Sequence, residues 1–432
     1  YVAALFGTLL FGMTALPLNV SMTAHEIMPL LGQTSTQTLI TSKRFGRMFE
    51  DIRVNHMPHL QVICLEDLPT RACEALPEAV HVGPDEPMVL LSTSGTTGKA
   101  RIVQLSEKNV EASVLGYLDK MNFEKSGQSD VRYILATPFS TAYGLMILSA
   151  CLLRSFPIIP IGEGFTLDVF YALAEAHRAT HYEGGTSVPL LMEQTAGRPI
   201  PHDIHRLKHF GFGGSKVSGN MLEALLKAYP GIRFWQGYGM TEAAPLITKY
   251  ANTQDEKLDS VGTAIKGVKI AVEVDGSVTD APYTTGEIVV QGPNVMLGYY
   301  QNEEETDNVL KNGHLYTGDL GYLDEDGYLY ICGRKKNVVI VRGLNVHPEE
   351  VEACILSSLL VQDCVVYGET DALGHEVVCA DVVPMNKQVQ IGEIEAHCRT
   401  RLADYKQPQK IRVVDAIPKA ASGKTGRLAR DR

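Results

Sequence analysis

The stretch Leu90-Leu91-Ser92-Thr93-Ser94-Gly95-Thr96-Thr97-Gly98-Lys99 organises the reading of this 432-residue chain. An apolar run, Met88 to Leu91, leads into a loop of small hydroxyl residues and glycines. Side chains are nearly absent there, so the backbone can approach a ligand closely. Successive N–H groups and hydroxyls can then converge on phosphate oxygens. The pattern Gly-x-x-x-x-Gly-Lys-Ser/Thr is not met. Thr93 stands where Gly98-Lys99 needs its first glycine, and Pro418 stands there for Gly423-Lys424-Thr425. Taken alone, the stretch also reads as a plain polar turn.

Three more stretches follow in order: Tyr238-Gly239-Met240-Thr241-Glu242, then Thr317-Gly318-Asp319 with Gly333-Arg334, then Ser422-Gly423-Lys424. With Thr93-Ser94-Gly95-Thr96-Thr97-Gly98 they resemble the adenylate-forming superfamily of acyl-CoA synthetases, peptide-synthetase adenylation domains and luciferases. The matches run from residue 93 to residue 424, nearly the whole chain. The fold this resemblance implies is α/β: a large multi-subdomain N-terminal α/β domain plus a small mobile α+β C-terminal domain. The expected division is a large AMP-binding domain at 1–333, a hinge at 334–336 and a small lid domain at 337–432.

Bulk properties agree with two or more domains, since 432 residues exceed one ordinary core. A formal charge of −11 argues against a nucleic-acid surface, whose usual footprint is a basic stripe. The eight cysteines form no Cys-x-x-Cys pair and no Cys/His ligand spacing. Scattered cysteines read as reduced core residues, so a cytoplasmic location is expected. Residues 1–18 are apolar, but Gly7, Gly12 and Pro17 interrupt them and no basic segment precedes them. Neither a signal peptide nor an integral membrane segment is expected. The chain does not begin with Met, and family members carry a leading segment before such a helix. The expectation is that part of the first subdomain lies outside this sequence.

Along the chain, residues 1 to about 80 read as α/β, with Thr38 to Thr41 and Val62 to Leu65 as short strands. Ile102 to Leu105 can pair back against the phosphate strand, and Ser106 is a good N-cap for the helix beginning at Glu107. Ile134 to Pro138 is strand-like, and Leu167 to His177 helical. Residues 261 to 300 read as short strands with Gly and Pro turns. Asp324-Glu325-Asp326-Gly327 is a hairpin signature. After Val338 to Val341, Pro348-Glu349-Glu350 starts a helix, with proline at its first position and acids facing the positive helix end.

The resemblance also implies site residues. Thr93, Ser94, Gly95, Thr96, Thr97 and Gly98 would cradle phosphates. The usual continuation is Pro-Lys-Gly after one variable residue; here it is Lys99-Ala100-Arg101-Ile102. Arg101 then takes the lysine's place and could grip phosphate as a fork. The other reading leaves Arg101 on the surface and gives the work to Lys99. Gly214, Ser215 and Lys216 would form the small-residue turn against adenine. Gln236 suits the adenine edge, Tyr238 can stack on the ring, and Gly237 lies between them. Thr241 offers a hydroxyl to α-phosphate and Glu242 a hard oxygen to Mg²⁺. Asp319 can accept from ribose hydroxyls, with Ile331 and Arg334 beside it.

Thr141, Tyr143, Gly144, Tyr182, Gly237 and Gly239 are expected around an acyl pocket. Amino-acid-activating members hold the substrate ammonium with an Asp near the place of Ala142. Alanine cannot make that ion pair, so an acid without an α-amino group is expected. His181 or Glu183 could touch a polar substrate; a satisfied structural histidine and a rim carboxylate are the plainer readings.

The implied chemistry is ATP-driven activation of a carboxylic acid, then thioester formation. Two anions must meet, so positive charge has to stand between them. Glu242 with Mg²⁺, the loop N–H groups and Lys424 would supply it. The small domain would then swing about Lys336, Lys424 would leave, and the loop at Gly343 would enter beside the pantetheine arm. The acceptor would be CoA or the phosphopantetheine of a carrier protein. A nucleotide-binding protein without catalysis is the alternative from another class. The residues identify neither the acid nor the oligomeric state.

Overall fold

The computed structural model describes residues 1–68, 78–93, 101–123, 130–161, 166–214, 217–250, 257–337, 339–341, 344–370, 376–386 and 388–418. At its centre lies a seven-stranded sheet of described residues. Its order is Thr263–Ala264, Leu246–Lys249, Arg233–Gly239, His209–Gly213, His181–Gly185, Tyr133–Ala136 and Ile158–Pro160. The last five run parallel, and Leu246–Lys249 is antiparallel to Arg233–Gly239.

Parallel strands need crossovers, and helical crossovers cover both faces of a sheet. Consecutive residues therefore enter different cores. Tyr133, Leu135 and Trp235 face the Glu107–Met121 and Ala142–Leu153 helices, packing on Val114, Tyr117, Leu145 and Met146. Ile134, Tyr182, Phe210, Phe212 and Phe234 pack on the opposite face with Phe170, Leu222 and Leu225.

The described start of the phosphate stretch, Leu90 to Thr93, lies on the strand Pro87–Thr93, which pairs antiparallel with Arg101–Ser106, and Gly298–Tyr299 adds a third strand. Thr93 lies opposite Arg101. Ser106 caps the next helix as expected: its hydroxyl accepts from Asn109 N at 3.3 Å, and Asn109 Oδ1 accepts from Ser106 N at 2.9 Å. In front, Thr38–Thr41 pairs with Gln61–Cys64 in parallel, over a core of Ile27, Leu31, Phe49 and Ile52.

Residues 269–334 carry an antiparallel sheet. Its Asp324 turn joins His314–Leu323 to Leu329–Arg334. Asp324 Oδ1 accepts from Asp326 N at 3.0 Å and Tyr328 N at 2.9 Å, while Gly327 takes φ +77°. Beyond the turn at Lys335–Asn337, a small α+β unit packs Val339, Val346, Val351, Ile355, Val366 and Ile394. Proline opens its first helix, Pro348–Leu356, as the residues predict. No helix of the described residues is long and apolar enough to cross a membrane, and no disulfide joins the described cysteines.

Candidate active site

The carboxyl end of Arg233–Gly239 reaches the antiparallel sheet at one cleft. Gln236, Gly237, Tyr238, Gly239 and Gly214 form one wall. Asp319, Ile331, Cys332, Gly333 and Arg334 form the other, with Glu349 of the small unit at its edge. Tyr238 Oη donates to Asp319 Oδ2 at 2.7 Å, and Arg334 Nε donates to Asp319 Oδ1 at 2.8 Å. Asp319 is 6% exposed and so meets both partners in a poorly solvated setting. Burial, reinforced by the Asp319 charge, pushes the Tyr238 phenol well above its ordinary value, so it remains a donor.

A second cluster follows directly in sequence. Thr241 and Glu242 sit on the short turn Thr241–Ala243. Thr241 is half-buried, and its hydroxyl makes no hydrogen bond to a described residue. Glu242 is buried, and its Oε1 accepts from Tyr299 Oη at 2.9 Å. Burial and the Glu242 charge push the Tyr299 phenol up, which keeps that donor protonated. Arg101 lies over the Tyr299 ring at 5.4 Å and pairs with Glu305 at 2.6 Å. Its guanidinium, 19% exposed, is held between Tyr299 and Glu305. Tyr299 and Glu305 are contributors that the motifs did not signal.

Several expected contacts are redirected. The Gln236 amide, on the cleft wall, is tied to the protein itself. It is buried, accepts from Val217 N at 3.2 Å and donates to Ser260 O at 3.0 Å, tying strand to loop. Tyr182 is not in an acyl pocket: it stacks on Phe210 at 4.1 Å in the opposite core. Thr141 caps a helix, accepting from Gly144 N at 3.1 Å and donating to Pro138 O at 2.8 Å. Gly144 lies so close to Pro138 that a Cβ would stand 2.1 Å from its carbonyl oxygen.

Glu183 is not a rim carboxylate. It is 1% exposed and accepts from Lys249 at 3.0 Å, from Tyr117 at 2.9 Å and from Tyr143. The motifs do not signal Lys249, although a base closing the strand Leu246–Lys249 and an acid inside His181–Gly185 were a usable signal. His181 stacks on His209 at 4.3 Å, and burial together with nearby cations lowers both, His209 to about 4. Ser94, Gly95, Thr96, Thr97, Gly98, Ser215, Lys216, Gly343 and Lys424 lie outside the described residues, and Lys336 is described in backbone only.

Sequence comparison finds the family described as AMP-binding enzyme over residues 1–300, and the AMP-binding enzyme C-terminal domain over residues 350–424. The 2-succinylbenzoate–CoA ligase of Bacillus subtilis (strain 168) is 32% identical over 425 residues, covering 98% of this chain and 83% of that protein. A feruloyl-CoA synthase of Amycolatopsis sp is 30% identical, covering 98% of this chain and 84% of the other. Among solved structures, O-succinylbenzoate coenzyme A synthetase from Bacillus subtilis with ATP and magnesium superposes with a TM-score of 0.85. That match has 30% identity and covers 98% of this chain and 85% of the other.

Proposed function

The chain belongs to the AMP-binding enzyme family, and from that premise we propose that it joins a carboxylic acid to CoA through an acyl-adenylate. The observation that carries this reading is the Tyr238–Asp319–Arg334 chain of contacts beside the bare backbone of Gly237 and Gly239. Tyr238 offers a ring for adenine, Asp319 a carboxylate for the ribose, and Arg334 a cation beside that carboxylate.

The acid's carboxylate attacks the α-phosphorus of ATP, and pyrophosphate leaves. Thr93, Ser94, Gly95, Thr96, Thr97, Gly98 and the Thr241 hydroxyl hold the phosphates. Mg²⁺ binds through one or two carboxylates plus substrate phosphates, so the buried Glu242, steadied by Tyr299, is a fitting donor. When bound, the ion neutralises charge on the triphosphate. Arg101, bridged between Tyr299 and Glu305, orients Tyr299 and thereby Glu242. Lys424 places a cation between carboxylate and α-phosphate. A hinge at 334–336, with Lys336 turning, then exchanges Lys424 for Gly343 and the CoA thiol. CoA is the favoured acceptor because the similar proteins spanning 98% of this chain are a CoA ligase and an acyl-CoA synthase. The absence of a disulfide among the described cysteines suits a cytoplasmic setting.

The test is acid-dependent ATP–pyrophosphate exchange, followed by thioester formation with CoA. Exchange and CoA thioester are expected with at least one acid. Tight ATP binding without exchange for any acid in a broad panel would leave a nucleotide binder instead.

A further inference from the structure

On the face of the central sheet that carries Tyr133 and Trp235, one layer is charged. Glu183, Gly211 and Trp235 stand side by side on neighbouring strands. Lys249 lies opposite Gly237 and reaches across the Trp235 ring at 5.4 Å to Glu183 at 3.0 Å. One layer further along the strands come Gly185, Gly213 and Gly237. A Cβ on Gly185 would meet nothing within 4 Å, and one on Gly213 only Gly237 O at 3.3 Å. One on Gly211 would stand 2.4 Å from the Glu183 carboxylate oxygens. The glycine strip is thus open at Gly185, tighter at Gly237, where a Cβ would stand 3.1 Å from Thr248 O, and closed by charge at the next layer. Gly237 also lines the nucleotide cleft, so the strip opens onto it.

We infer that the Glu183–Lys249 pair, with the Tyr143 hydroxyl, floors the acyl pocket and selects compact acids ending in a hydrogen-bond acceptor. This rests on the acid-activating reading above. Two residues of strand separate Gly237, at the cleft, from Trp235 in the charged layer, about 7 Å. That depth suits a single ring or a short chain. A longer alkyl tail would have to part a buried ion pair and strand a charge, which is heavily penalised. The end group matters as well. The Lys249 ammonium has three donors, and among the described residues Glu183 is its one hydrogen-bond partner. Tyr117 and Trp235 offer it only ring faces, at 5.0 and 5.4 Å. Half-buried Tyr143 places its hydroxyl on the same carboxylate. An acceptor arriving there gains a donor; a methyl group leaves donors unmatched.

Pyrophosphate exchange with phenylacetate, para-hydroxyphenylacetate and laurate tests this. In the wild type, kcat/KM for para-hydroxyphenylacetate should exceed that for phenylacetate by about 10-fold or more, with laurate inactive. Glu183→Leu/Lys249→Met replaces the pair by apolar groups of similar volume and should bring the ratio to unity or below. Should that variant fail to fold, Tyr143→Phe keeps the ring, removes one hydroxyl, and should shrink the same ratio. Wild-type exchange with laurate rivalling the aryl acids overturns the floor assignment and leaves the ligase reading standing. So does an unchanged ratio in both folded variants. Silence with these and every other acid removes the ligase reading and the floor with it.

Discussion

The phenol of Tyr238 donates to Oδ2 of Asp319 across 2.7 Å, joining the central sheet to the antiparallel sheet at the nucleotide cleft. The bond links residues 81 positions apart, and Arg334 closes the other side of the carboxylate at 2.8 Å. Asp319→Ala removes the shared acceptor of both. We expect ATP and acyl-adenylate affinity to fall by roughly 1.5–3 kcal/mol, the scale of a charge-assisted hydrogen bond. Titration calorimetry with ATP decides it; unchanged affinity would make Asp319 a purely structural link.

Glu242 offers a carboxylate that Tyr299 steadies from one side. Glu242→Gln keeps that hydrogen-bond acceptor and removes the negative charge. Magnesium-dependent pyrophosphate exchange should drop while ATP still binds weakly. A variant with the wild-type magnesium response would remove Glu242 from the metal.

The two half-reactions should separate genetically. Lys424→Ala should slow adenylation by at least about 10²-fold, as loss of one preorganised transition-state donor does. Given synthetic acyl-adenylate and CoA, it should still make thioester. Lys336→Pro fixes φ and should show the reverse, adenylating but failing to transfer. Equal loss of both steps in both folded variants would point to one static site.

Glu183→Ala should be costly whatever the substrate. It leaves Lys249, 3% exposed, as a buried cation without its partner. The expected loss is about 3–5 kcal/mol, read as a lower midpoint in denaturant. Glu183→Leu/Lys249→Met should recover most of it. A single variant as stable as wild type would show that water or rearrangement compensates the lysine.

Acid should weaken the fold through His181 and His209. Both are held below the ordinary histidine value, His209 at about 4 instead of 6.5, because burial and neighbouring cations oppose their charging. The unfolded chain then binds more protons than the folded one. Stability is complete above about pH 6.5 and falls as pH drops toward about 4. For His209 the full change is roughly 3 kcal/mol. His209→Gln should flatten the decline between pH 6.5 and 5 in urea unfolding; an identical slope would assign it to other groups.

Much of this molecule was legible as a string. The Ser106 cap, the Asp324 turn and the proline-led helix at Pro348 are local, set by turn chemistry and capping within a few residues. The order of motifs fixed the family. The sequence could not decide between faces and partners. Strand alternation says that Tyr182 and Glu183 point opposite ways, but not which way leads to the cleft. Register across separate strands decides that: Tyr182 beside Phe210 falls into one core, and Glu183 beside Gly211 meets Lys249 in the other. Gln236 likewise reads as a free amide until Val217 and Ser260 fold against it. Local rules act through the backbone over a few residues, whereas a buried polar group takes its role from whichever distant atoms satisfy it, and only the packed structure brings those atoms within reach.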